Sequence, residues 1–248
     1  MTSSHAGTGG AARFRSVAAL PGRPVERAVL FDFGGTLDAD GVTWKERFAR
    51  LYRTEGVRLE PARFDPLFYA ADDALVRATP PTLSFRETVL RLAASLARGL
   101  GLDGDDALVG RVASRFLEGA LETLRGNTPL LSRLGRRYRL GIVSNFYGNL
   151  ETVCDDAGIR ELFSVIVDSC RVGCRKPDPR IFDRAVEELG MTPADATFVG
   201  DSPTRDMAGA RAVGMRHIWL AGEESGTRTP CCPADRVISS LAELEAVL

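Results

Sequence analysis

Short apolar runs that each stop at a polar side chain recur along the chain and alternate with stretches of helical periodicity. This pattern limits the possible folds more than any other feature. Ala28 to Asp32 (AVLFD) ends at Phe33-Gly34-Gly35-Thr36. Leu140 to Ser144 (LGIVS) precedes a helical stretch near Leu150 to Ala157, Val165 to Val167 one near Arg180 to Leu189, and Thr197 to Gly200 one near Arg205 to Val213. His217 to Leu220 and Val237 to Ile238 complete the strand candidates. Nearly continuous apolar strands separated by helices predict a parallel sheet covered on both faces. Between the first two strands the period changes. From about Val42 to Leu124 the apolar residues fall at helical spacing in four groups: Trp44, Phe48, Leu51 and Tyr52; Leu67, Phe68, Ala71 and Leu75; Val89, Leu92, Ala93 and Leu96; Leu108, Val112, Phe116, Leu117 and Leu121. Four amphipathic helices in a row form a small bundle. The expectation is an α/β fold interrupted early by an α-helical cap: a flexible tail over 1–26, a core from 27–40 and 126–248, and a four-helix cap over 41–125.

Composition narrows the functional classes. The 248 residues fall between one and two domains of ~150 residues. With 44% hydrophobic and 26% charged side chains the chain reads as globular. The 32 basic and 33 acidic side chains leave a net charge of -1, with none of the clustered basic surplus that nucleic acid or an anionic membrane requires. No apolar run approaches the ~20 residues needed to cross a bilayer. Val17 to Leu20 is too short for the apolar part of a signal peptide. Five cysteines without an export signal fit a reduced cytoplasm, and Cys170 and Cys174 lack the spacing of a zinc knuckle. Cys231 and Cys232 lie in a Pro-rich loop.

In open parallel sheets ligands bind beyond the carboxyl ends of the strands. At those ends stand Asp32, then Ser144 and Asn145, then Lys176 after a loop, then Asp201 with Asp206 close behind. Each has a plain alternative: a turn for Asp32, a helix cap for Ser144-Asn145 or Asp201-Ser202, a solvated charge for Lys176. Together an acid, a hydroxyl, an amine and further acids from four segments suit a phosphoryl group. A carboxylate can attack phosphorus and split one displacement into two. Repulsion between the two anions calls for a divalent cation, and oxygen-only ligands favour Mg2+ over zinc.

FDFGGTLD at Phe31 to Asp38, IVSN at Ile142 to Asn145, RKPDPRIF at Arg175 to Phe182 and VGDSPTRDMAGARAVGM at Val199 to Met215 together resemble the haloacid dehalogenase superfamily. The subgroup with a helical cap after the first strand is the nearest in pattern. The resemblance implies a Rossmann-like core and a phosphatase acting on a small phosphorylated metabolite. It implies Asp32 as nucleophile, Ser144 and Asn145 as phosphate contacts, and Lys176 as the charge that braces both. Gly35 and Thr36 of the first loop join the substrate contacts. Asp32, Asp201 and the Gly34 carbonyl are the implied Mg2+ ligands, with Asp206 a further ligand or a partner that holds one of them.

One position departs from the family pattern. Phosphatases of that family carry a second aspartate two residues after the nucleophile, which protonates the leaving oxygen, and here that residue is Gly34. Such assistance contributes ~100-fold to ~10,000-fold, so slow turnover of alkyl phosphates and better turnover of activated esters are expected. On this reading Gly34→Asp accelerates alkyl phosphate hydrolysis, and Asp38 or Asp40 substitutes if the loop folds back. A dehalogenase needs no proton donor, and a phosphonate-cleaving enzyme needs a cap lysine, for which Lys45 is the cap's candidate. A non-catalytic phosphate- or partner-binding relic is a further alternative. Trp44, Arg47, Arg171 and Arg175 are candidates for second contacts to the substrate.

Overall fold

The computed structural model describes residues 27–222 and 236–248. The expected tail, residues 1–26, and Cys231 and Cys232 lie outside the described residues. Among the described residues, six parallel strands form one sheet in the order β3-β2-β1-β4-β5-β6. They are β1 (Ala28–Phe31), β2 (Arg139–Ser144), β3 (Val165–Asp168), β4 (Ala196–Gly200), β5 (Arg216–Leu220) and β6 (Arg236–Ile238). The chain reverses direction across the sheet between β1 and β4, and at such a switch a crevice opens beyond the strand ends.

Alternation along the strands sends side chains to two apolar clusters, as a sheet covered on both faces requires. Val29, Phe31, Leu140 and Ile142 join one, and Leu30, Val143, Val167 and Phe198 join the other. The second cluster is closed by α7 (Pro179–Glu188), which contributes Ile181, Phe182, Ala185 and Val186. The first is closed by α5 (Leu150–Asp156), which contributes Leu150, Val153 and Cys154, and by the helices that follow β1. Among the described residues the remaining α-helices are the short α6 (Ser169–Val172), α8 (Ala208–Ala212) and α9 (Leu244–Val247).

Those helices after β1 are α1 (Trp44–Thr54), α2 (Pro61–Ala78), α3 (Phe85–Leu100) and α4 (Asp106–Leu134). Local chemistry fixes their ends. Thr43 and Ser84 form capping boxes with Glu46 and Glu87, Pro61 opens α2, and Asp105 caps α4 through Leu108 N at 2.8 Å. Gly101 ends α3 in the left-handed conformation, φ 75°. Helix α4 runs without a break through residue 126 and through Pro129. Leu130, Leu131 and Leu134 continue its buried stripe beneath the sheet, and that burial outweighs the amide hydrogen bond that Pro129 lacks. Asn127 Nδ2 also donates to the Leu37 carbonyl at 3.0 Å, tying α4 to the loop after β1.

Candidate active site

Phe31 stands level with Ile142 of β2 and Val199 of β4, so the residues after these three strands emerge together at one edge of the sheet. Asp32 N donates to the Val199 carbonyl at 2.9 Å, which holds the first carboxylate in register beyond β1. Its Oδ1 accepts from Ser144 Oγ at 2.6 Å and pairs with Lys176 Nζ at 2.8 Å. Lys176 also reaches Asp206 Oδ1 at 2.7 Å. Ligand oxygens of Asp32, Asp201 and Asp206 lie within 4.8 Å of one another, and all three residues are buried.

The wide turn Phe33–Leu37 that follows Asp32 is shaped by its glycines. Gly35 has φ 94°, and a Cβ there would fall 2.7 Å from Asp201 Oδ2. Only glycine satisfies both constraints. Thr36 Oγ1 donates to Asp201 Oδ1 at 3.3 Å, and Ser202 N donates to Asp206 Oδ2 at 3.0 Å. Trp219 Nε1 donates to the Asp201 carbonyl at 3.0 Å, so β5 anchors the acidic loop from behind.

Burial, then the charges of Asp206 and Asp32, push the Asp201 carboxyl well above the usual carboxylate range. Burial raises Asp206 as well, although Lys176 opposes it. Burial alone would lower the Lys176 ammonium, but Asp206 and Asp32 outweigh it and hold the ammonium above its ordinary value. Three crowded carboxylates, offset in part by Lys176, are the donor set that a hard divalent cation relieves, and the residues present fit Mg2+.

Asp32, Ser144, Asn145 and Lys176 line a cavity of about 200 Å³, roofed by Trp44, Lys45, Phe68, Tyr69 and Asp72 of α1 and α2. Gly34 and Arg175 line it too. Asn145 spends its side-chain amide on the Lys176 backbone: Oδ1 accepts from Lys176 N at 2.7 Å and Nδ2 donates to Lys176 O at 3.1 Å. It therefore holds the lysine loop in place. Gly35 and Thr36, expected at the substrate, are not among the lining residues: Gly35 N donates to Asp38 Oδ1 at 2.7 Å, and Thr36 faces Asp201.

Further expectations change. Asp38 is not a spare acid. It is fully buried, accepts from Trp44 Nε1 at 2.7 Å and pairs with Arg47 Nη1 at 2.8 Å. Burial raises its carboxyl, while Arg47 and the hydrogen bonds lower it. Asp40 accepts from Leu241 N at 3.1 Å and Ser240 Oγ at 3.3 Å, at the opposite end of the loop from Asp32. Arg47 and Arg171 also leave the list of substrate contacts, because Arg47 holds Asp38 and Phe116 O and Arg171 donates to Gly148 O at 2.8 Å. For the position of the missing acid, a Cβ on Gly34 would lie 3.2 Å from Trp44 Nε1, so the indole occupies that space. Lys45 pairs with Asp65 at 2.6 Å; burial pulls its ammonium down, but Asp65 holds it above its ordinary value. A Schiff-base lysine needs the opposite shift.

Several residues of the site carry no sequence signal. Arg205 lines the cavity. Partial desolvation would lower its guanidinium, but Asp32, Asp206 and Asp201 outweigh this and keep it charged. Tyr147, buried in the wall, donates its hydroxyl to Asp72 Oδ1 at 2.5 Å.

The model of haloacid dehalogenase-like hydrolases matches residues 26–214. The chain belongs to that family. Its relatives include mouse haloacid dehalogenase-like hydrolase domain-containing protein 3, 40% identical over 133 residues, 52% of this chain and 50% of that protein. The chain spans about half the length of the first curated relatives it matches. The phosphoserine phosphatase of Thermus thermophilus is 32% identical over 219 residues, 79% of this chain and 82% of that one. In fold, the chain is similar to the HAD-hydrolase YfnB of Bacillus subtilis bound to magnesium, at TM-score 0.57 and 24% identity, covering 90% of this chain and 98% of that chain.

Proposed function

We propose that this hydrolase cleaves the phosphate monoester of a small metabolite through an aspartyl-phosphate on Asp32. The observation that carries the reading is Asp32 Oδ1, held at 2.6 Å by Ser144 and 2.8 Å by Lys176 at a cavity that opens beyond the sheet edge, beside Asp201 and Asp206. Lys176 and Ser144 fix the direction of the attacking carboxylate, and Asn145 keeps Lys176 from drifting. Phosphoryl oxygens displaced toward Ser144, Lys176 and Arg205 meet donors already in place, which stabilises charge as it develops. Asp32, Asp201, Asp206 and the Gly34 carbonyl would hold Mg2+, which when bound screens the repulsion between carboxylate and phosphoryl group.

A cavity of about 200 Å³ is smaller than the ~300–1,000 Å³ pockets of drug-sized ligands, which supports a small substrate. Arg175, Lys45 and the aromatic roof offer it a second anionic or ring contact. The cap is proposed as residues 41–125, with α4 as the shared element that continues into the core. Among the described residues no helix is long and apolar enough to cross a membrane. Free thiols at Cys154, Cys170 and Cys174 support placement in a reducing cytoplasm.

The test is p-nitrophenyl phosphate assayed with and without Mg2+, whose leaving group needs little protonation. Metal-dependent release that disappears in Asp32→Asn is expected. Absence of release, or release that survives Asp32→Asn, overturns the reading in favour of a binding relic or different chemistry.

A further inference from the structure

Hydrolysis of an ordinary ester needs a proton at the departing oxygen, and Gly34 has none to give. Attack by Asp32 from the sheet edge puts that oxygen on the far side of phosphorus, in line and toward the cap. Among the described residues, the cap side of the cavity offers two carboxyl groups, Glu46 of α1 and Asp72 of α2. Glu46 Oε2 is committed to the start of α1, accepting from Thr43 N at 3.0 Å and Thr43 Oγ1 at 2.9 Å. Asp72 is half-buried; its Oδ1 takes the Tyr147 hydroxyl at 2.5 Å, and among the described residues no hydrogen bond reaches Oδ2.

We propose that Asp72 is a catalytic residue, the acid that protonates the leaving group, carried by the cap and oriented by Tyr147. The proposal rests on the aspartyl-phosphate reading above. In the first step Asp32 forms a bond to phosphorus, the bond from phosphorus to the ester oxygen breaks, and that oxygen takes the Asp72 proton and departs as an alcohol. In the second, the Asp72 carboxylate accepts a proton from the water that attacks phosphorus. Asp32 leaves as a carboxylate with inorganic phosphate as product, and Asp72 is protonated again.

The surroundings suit this task. Burial raises the Asp72 carboxyl above its ordinary value, and Asp73 adds to this. The Tyr147 hydrogen bond, Arg175 and Arg205 act the other way without cancelling the rise. Lys45, Glu46, Asp32 and Lys176 face the same cavity, and an arriving phosphate dianion adds like charge beside Asp72, raising it further. Tyr147 keeps its own proton, because burial and then Asp72 hold its hydroxyl well above its usual value. Its part is to position the acid. An acid on α2 also makes proton delivery conditional on the cap lying over the core, which links chemistry to exclusion of water. Alkyl phosphates thereby return to the substrate range that Gly34 alone would have closed.

The experiment compares the full chain with Asp72→Asn and Tyr147→Phe on p-nitrophenyl phosphate and phenyl phosphate, two esters of similar size whose leaving groups differ in basicity. For Asp72→Asn, kcat/KM on phenyl phosphate is expected to fall about 100-fold or more, with p-nitrophenyl phosphate within about 3-fold of wild type. The alkaline limb of the phenyl phosphate pH profile should disappear, and a burst of p-nitrophenol should appear as the second step slows. Tyr147→Phe, which keeps the carboxyl, should show the same selectivity at smaller amplitude, and it decides the matter if Asp72→Asn fails to fold. An equal loss on both esters, or no loss, overturns the assignment of Asp72 alone. A wild type inactive on both overturns the aspartyl-phosphate reading and this one with it.

Discussion

Gly34→Asp restores the acid that family phosphatases carry, and the structure predicts that it costs stability without adding rate. The backbone at Gly34, φ -77° and ψ 113°, suits aspartate, so the cost arises from packing. A Cβ would stand 3.2 Å from Trp44 Nε1, 3.4 Å from Cδ1 and 3.6 Å from Cε2, before any carboxylate is added. The indole has little room to retreat, with the Phe116 ring 5.0 Å away edge-on, Phe146 at 5.8 Å and Phe85 stacked at 6.3 Å. Overpacking of this kind costs ~1–3 kcal/mol. Displacing Trp44 also breaks its 2.7 Å bond to buried Asp38, another ~1 kcal/mol. The sum, roughly 2–4 kcal/mol, lowers Tm by on the order of 5–15 °C in a chain of this size. Gly34→Ala, which adds the Cβ alone, should fall between wild type and Gly34→Asp. Thermal unfolding followed by circular dichroism and kcat/KM on an alkyl phosphate are the assays. A Gly34→Asp protein as stable as wild type and faster on the alkyl ester would refute the argument, showing that Trp44 does not fill the acid's place.

Asp201→Asn removes one of three crowded carboxylates. Because the folded-state value of Asp201 is raised, its proton stabilises the fold below the unfolded value, and that contribution is lost as pH rises toward the folded one. Metal-free wild type should therefore gain stability relative to Asp201→Asn as pH falls from 7 toward 5, and at neutral pH Mg2+ should raise the Tm of wild type more than that of the variant. Equal pH slopes in calorimetry would contradict the crowding argument. Asn145→Ala deletes two hydrogen bonds to the Lys176 backbone. A loss of ~1–3 kcal/mol in denaturant unfolding and a lower kcat, with KM changed less, are expected.

The strand ends were legible because the physics there is local. An apolar run that stops at Asp32, Ser144 or Asp201 marks a sheet edge whichever helices surround it, and the parallel register brings those side chains together. Asp38 was not legible, because what separates a solvated turn from a buried anchor is Trp44 and Arg47, and only the packing of α1 against the loop brings them there. Pro129 reads as a helix breaker, but the leucines after it continue the stripe of α4. Asp72 and Tyr147 lie 75 positions apart, and nothing short of the seating of α2 over the sheet edge shows that they meet.

The central claim is that Asp32 becomes phosphorylated. Protein mixed with p-nitrophenyl phosphate and Mg2+, quenched in acid within the first turnover and digested, should yield the peptide containing Asp32 with one added phosphoryl group that base or hydroxylamine removes. A chain that turns over the ester while that peptide stays unmodified, or that carries the group on another residue, contradicts the account.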